Sequence, residues 1–146
     1  MNIRQHLTAK LKQDISEFRE VVGAADLPAK LLKRGVVLSP SLFVVQVRTD
    51  ATENDTMNGV SQRLTHFFDV AILVENKRDT YGTDSSDVLN ELRKKVEEAL
   101  LGWIVPLPAT PQHIEYAGGE LYSLEDTLII WRDTYLVYEY IDHIGA

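Results

Sequence analysis

The stretch SQRLTHFFDVAILVEN, Ser61 to Asn76, constrains this chain more than any other. Leu64, His66, Phe68, Val70, Ile72 and Val74 alternate with Arg63, Thr65, Asp69 and Glu75, which is the period-two pattern of a β-strand. At roughly 3.3 Å per residue such a strand runs about 50 Å. A compact domain of this length has a radius of gyration of only about 15 Å. The strand must either bend over its own body at a bulge or project beyond it. Phe68–Asn76 suits a packed core strand, while Ser61–Phe67 is more polar and pairs naturally back toward Gln46–Asp50. The pattern therefore predicts a β-hairpin whose outer part, Arg48 to Thr65, projects as an arm. A two-stranded arm alone in water is marginal, so the same pattern predicts a second chain that covers it.

The rest of the chain reads as a single domain, 1–146. Ile3, Leu7, Leu11, Ile15, Phe18 and Val22 recur at helical spacing, predicting a first helix over Ile3–Val22 that Gly23 ends. A turn and a short helical segment at Pro28–Lys33 follow, then a strand over Ser41–Thr49 and a loop over Asp50–Gly59. After the long strand and a second loop, Asn76–Ser86, comes a helix over Ser86–Leu101. Asp84 or Ser85 is its expected cap and Gly102 its stop. Its apolar stripe is Val88 or Leu89, Leu92, Val96, and Ala99 or Leu100.

Beyond the proline-stiffened connector Trp103–Pro111, extended segments are expected at His113–Ala117, Leu121–Leu124 and Leu128–Ile141. The last is either continuous or parted near Asp133. Gly118–Gly119, between the first two, reads as a hairpin turn. In the last segment Leu136, Tyr138 and Tyr140 share one face. Tyr135, Val137 and Ile141, interrupted by Glu139, share the other, so both faces need cover, from the chain's own helix or from a neighbouring subunit. The fold class expected is α+β: a mainly antiparallel or mixed sheet, two main helices packed on it, and a projecting β-hairpin arm.

The residues that could carry chemistry are scattered. There is no cysteine, which removes disulfides, thiol catalysis and thiolate metal sites. His6, His66, His113 and His143 fall on four different elements, and no metalloprotease, nucleophile-elbow or phosphate-loop motif is present. Asp142–His143 resembles an orienting pair without a serine to orient. Glu97–Glu98 and Glu125–Asp126 are adjacent acids whose side chains diverge. The expectation is no catalytic residue, no metal and no cofactor. Neither a signal peptide's apolar stretch nor a run of membrane-spanning length is present, so no membrane association is expected. A net charge of −7 argues against binding nucleic acid through a basic face.

Several segments, in order, resemble one known family: VVGAADLPAKL, SLFVVQV, FFDVAILVENKRDTYG, LRKKVEEALLGW and YAGGELYSLEDTLIIWRDTYLVYEY. Together they are similar to the tail terminator (tail completion) proteins of long-tailed bacteriophages and prophages, over about residues 1 to 142. Ala99–Trp103 and Tyr116–Leu121 are the most specific parts. Where family members often carry two tryptophans before an Arg/Gln-Asp pair, this chain has Ile130–Trp131.

The resemblance implies a structural virion assembly protein and not an enzyme. It implies a homo-oligomer, a hexameric ring, that caps the tail tube, ends tail polymerisation and offers a docking surface to the head–tail connector protein. The implied partners are further copies of the chain, the tail tube protein and the connector. DNA passes through the ring without specific binding, and the acidic balance fits that passage as well as it fits plain solubility. The implied location is the host bacterial cytoplasm during assembly and then the virion tail.

On this reading the subunit or tube interface falls on Arg48, Asp50, Glu53, Asn54, Asp55, Met57 and Arg63 of the arm, with Arg78 and Asp79 of the second loop. The alternatives are another head–tail joining protein, such as a neck or stopper, or a small α+β enzyme or ligand-binding domain that uses the Tyr/Trp-rich C-terminal sheet. Convergence of His66, His113 and His143 with an acid in one cleft would favour the enzyme.

Overall fold

A computed structural model of the chain describes residues 1–24, 39–75, 83–107, 113–124 and 128–144. Two helices, α1 (Ile3–Asp14) and α2 (Thr83–Leu100), accompany five strands: β1 (Glu20–Ala24), β2 (Ser41–Ala51), β3 (Gly59–Glu75), β4 (Ile114–Leu124) and β5 (Leu128–Ile144). The strands form one open sheet in the order β1-β2-β3-β5-β4. β1 runs parallel to β2 and every other pairing is antiparallel, so the sheet is mixed and the fold is α+β.

Both helices pack on one face. Ile3, Leu7 and Leu11 of α1 and Leu89, Leu92, Val96 and Leu100 of α2 bury with Leu42, Val44, Phe68, Val70, Ile72, Val74, Ile129, Tyr135 and Val137. α1 begins in a capping box: the Asn2 side chain accepts from the Gln5 amide while the Gln5 side chain accepts from the Asn2 amide, each at 2.8 Å. α2 stops at Gly102, whose φ of +79° is cheap only for glycine. The opposite face holds a smaller buried cluster of Phe43, Val45, Ala71, Leu73 and Ile130. Every residue of β3 from Phe68 to Val74 is buried, so that half of the strand is covered on both sides.

The structure corrects the sequence reading at several boundaries. α1 ends at Asp14, not Val22: the Ile15 cap has φ −123° and ψ 107°, off the helix, and Val22 and Gly23 lie in β1 beside Phe43 and Val44. Ile15 and Phe18 are buried in the helix-side core all the same, which is why their spacing prolongs the helical pattern. α2 starts at Thr83, placing Asp84 and Ser85 inside the helix by backbone and not at its cap. Leu89 and Leu100 take the core positions, while Val88 is exposed.

Gly118–Gly119 is not a hairpin turn. Both glycines lie within β4, which runs unbroken from Ile114 to Leu124 with register shifts at Tyr116/Gly118 and Leu121/Ser123. β5 is likewise unbroken at Asp133 and continues to Ile144. The expected helical segment at Pro28–Lys33 lies outside the described residues.

Candidate assembly interface

β3 pairs with β5 over its whole length, from Gly59↔Ile144 to Glu75↔Leu128. The projecting arm is therefore three-stranded: the end of β2, the first half of β3 and the last part of β5. The extra strand answers the weakness of a lone hairpin, because β3 is paired on both edges from Leu64 to Leu73 and with β5 alone out to Gly59. A seventeen-residue strand spans about 55 Å at 3.3 Å per residue. From Gly59 to Phe67 none of its residues is buried, in contrast to the unbroken buried run that follows.

The tip is tied together by Asn54. Its side-chain amide donates to the Thr56 and Gly59 carbonyls, at 3.1 and 2.8 Å, and its carbonyl oxygen accepts from the Ser61 amide at 2.8 Å. Asn54 thus shapes the tip through these bonds. Glu53 and Asp55 are exposed beside it, and Met57 is wholly exposed. Further back, Arg48 pairs with Asp50 at 3.1 Å and its guanidinium stacks on Phe67, 4.3 Å from the ring centre. Arg63 stacks in the same way on Tyr138 at 4.7 Å. Arg48, Asp50 and Arg63 share the sheet face away from the helices. The structure thus gathers seven of the nine sequence-expected interface residues on one arm; Arg78 and Asp79 lie outside the described residues.

At the arm's root the His66 ring faces Thr49, with Nδ1 2.9 Å from the hydroxyl oxygen, and Nε2 lies 3.9 Å from a Glu139 oxygen. Burial holds the His66 pKa below its ordinary value, partly opposed by the Glu139 charge. On the opposite face an open cleft of about 290 Å³ is lined by Val47, Arg48, Phe67, Asp69, Ala117 and Thr134. The buried Asp69 carboxylate accepts from the Thr134 hydroxyl at 2.7 Å and lies 3.5 Å from the Arg132 guanidinium. Arg132 also pairs with Glu120.

The densest polar cluster was not visible in the sequence. Asp133, 1% exposed, accepts two bonds from Arg93 of α2 at 2.9 and 3.0 Å, one from the Tyr116 hydroxyl at 2.8 Å and one from the Trp131 indole at 2.9 Å. Arg93 in turn stacks on Trp131, 4.2 Å from the ring centre. Hydrogen bonding to Asp133 raises the Arg93 pKa further, and burial raises that of Tyr116, so both keep their protons. All four bonds to the carboxylate come from within the chain. The cluster clamps α2 to β4 and β5 and leaves the carboxylate committed to that task. Only the Trp131–Arg132–Asp133 run hinted at it, and the partner Arg93 lies 40 residues away in sequence.

The histidines do not converge. His66 sits at the arm root, His113 bonds the Gly102 carbonyl at 2.9 Å, and His143 pairs with Val60 near the arm tip. Asp142 accepts a bond from the Ser61 hydroxyl at 2.7 Å, while His143, next along the strand, points to the opposite face. Among the described residues no three His, Asp or Glu side chains are grouped to hold a metal ion, and no helix is long and apolar enough to cross a membrane.

The fold defines a small α+β protein with a projecting three-stranded arm. The family model for the phage tail terminator protein matches residues 3–143, and the chain belongs to that family of structural phage proteins. Its fold is similar to that of a chain in the virion of a native gene transfer agent particle. The TM-score is 0.57 at 11% identity over 95% of each chain, a likeness of fold alone. No curated protein sequence matches this one.

Proposed function

We propose that this protein forms a hexameric ring on the finished tail tube, stops further addition of tube subunits and presents a docking surface to the head–tail connector. The observation that carries the reading, beside the family, is the half of β3 that leaves the packed body. A closed ring needs heterologous contacts, in which one surface meets a different surface of the next copy. An arm extending well past the core is such a surface, and contact with a neighbour would bury the apolar groups it leaves open: Met57, Val60 and Tyr140.

In this proposal Arg48, Asp50, Glu53, Asp55, Met57 and Arg63, with Arg78 and Asp79, meet a neighbouring subunit or the tube, and Asn54 acts through the tip it shapes. The protein works as a part and not as a catalyst. Assembly happens in the host cytoplasm, and DNA crosses the ring without a specific site.

The test is light scattering and electron microscopy of the purified protein, alone over a wide concentration range and with growing tail tubes. Rings on tube ends and arrested growth are expected. Tubes that lengthen unchecked in its presence, with the protein monomeric at every concentration, would reject the reading.

A further inference from the structure

Among the described residues, the arm has an open edge on each side. β1 pairs with β2 only as far as Val45, and a bulge follows at once between Gln46 and Arg48. From Gln46 to Ala51 the strand is exposed throughout. On the other side β4 pairs with β5 only up to Val137. Among the described residues, nothing pairs with the outer edge of Tyr138–Ile144 or of Gln46–Ala51.

The two kinds of edge are built differently. The body's edge strand β4 carries two register shifts, Gly118 and Gly119, and the charged Glu115 and Glu120, all features that discourage pairing with another chain. Tyr138–Ile144 carries Glu139 and Asp142, but these lie against His66 and Ser61 of β3; no proline or glycine interrupts the stretch, and its register with β3 runs without a shift to Ile144. The β2 edge has its bulge at the inner end, Gln46/Arg48, and is regular from Arg48 to Ala51, where Arg48 and Asp50 neutralise each other. Open edges of this kind are templates for a further strand.

We propose that the arms of adjacent copies join edge to edge, Tyr138–Ile144 of β5 in one copy pairing with Gln46–Ala51 of β2 in the next, into one sheet shared around the ring. β2 and β5 are each antiparallel to β3, so both run toward the arm tip. Copies related by rotation about an axis along the arms therefore bring these edges together as a parallel pair. Every copy has one edge of each kind, so the contact is heterologous, repeats identically and closes where the rotation closes. The occupant of each edge is thus a second copy of this chain, because the chain carries both complementary edges on opposite sides of the same three strands. The proposal rests on the ring reading above and specifies its contact.

The absence of cysteine makes the test direct. Asp50→Cys and Tyr140→Cys place thiols on the same sheet face at the two edges. A bis-maleimide linker of about 10 Å tolerates a small offset in register, but it can also span β3 within one copy, so the two cysteines are kept on separate copies. The two single variants are mixed before assembly and treated under ring-forming conditions, with tail tubes present if they are needed, and the mixture is expected to give covalent dimers. Each single variant alone should stay uncrosslinked. Rings in the microscope without dimers from the mixture would overturn the edge pairing and leave the ring reading standing. No oligomer under any condition, with wild-type protein as well, would overturn both. A crosslinked dimer from either single variant would mean that like edges meet, and would also overturn the proposal.

Discussion

Gly119 of β4 stands opposite Asp133 of β5 with no room for a methyl group between them. A Cβ added there would overlap the Asp133 carboxylate and come within 3.0 Å of the Tyr116 hydroxyl and the Trp131 indole, the other members of the clamp. Gly119→Ala is therefore expected to cost about 2–4 kcal/mol, by overpacking and by disturbing a buried ion pair. For a chain of this size that lowers Tm by roughly 2–4 °C per kcal/mol. If the carboxylate is the obstacle, the losses from Gly119→Ala and Asp133→Ser should fall well short of additive in the double variant. Strictly additive losses by thermal denaturation would place the damage elsewhere.

Tyr135 offers a stabilising change. Its ring is fully buried and meets Tyr116 edge-on at 5.4 Å, yet its hydroxyl has no hydrogen-bond partner among the described residues. Burial drives its pKa far up, so the hydroxyl stays protonated. Tyr135→Phe keeps the ring contact and removes an unsatisfied polar group, which should gain about 1 kcal/mol. Calorimetry should show Tm rising by about 2–4 °C. A fall in Tm would reveal a partner for the hydroxyl.

His66 should make stability fall on mild acidification. Its folded pKa is depressed, chiefly by burial, so the unfolded chain takes up a proton first as pH drops through the ordinary histidine value near 6.5. Protons then favour the unfolded state, and stability is lost from about pH 6.5 downward until the folded histidine is protonated too. Melting curves between pH 7.5 and 5 should slope less for His66→Gln than for the wild type. Equal slopes would assign the dependence to other groups.

How much of this could be read in advance depends on how local each signal is. The length of β3 and its division near Phe68 were plain, because a period-two apolar pattern that turns polar reports both. The partner that makes the arm three-stranded was not. Asp142 and His143 interrupt the apolar pattern at the end of β5, and only the pairing with Val60 and Ser61 shows that the strand continues. Gly118–Gly119 has the composition of a turn; its meaning is fixed by Asp133 on the next strand. β1 escaped for the same reason, since it exists through parallel pairing with β2 while its own spacing continues that of the helix. The exposed placement of the arm residues could be read because turn chemistry is a local property. The Arg93–Asp133 clamp was missed because its halves lie on different elements.

The central claim is that the arm serves assembly and not the stability of its own body, and removing it tests this most directly. Residues 51–64 are replaced by an Asn-Gly turn, which suits a tight hairpin, and the chain is ended after Tyr138, the partner of Thr65. The buried run Phe68–Val74 and both helices remain. Tm and circular dichroism of the shortened protein, read beside ring formation on tail tubes, are expected to show a body that melts within a few degrees of the wild type and forms no rings. A shortened protein that still forms rings and arrests tube growth would contradict the account.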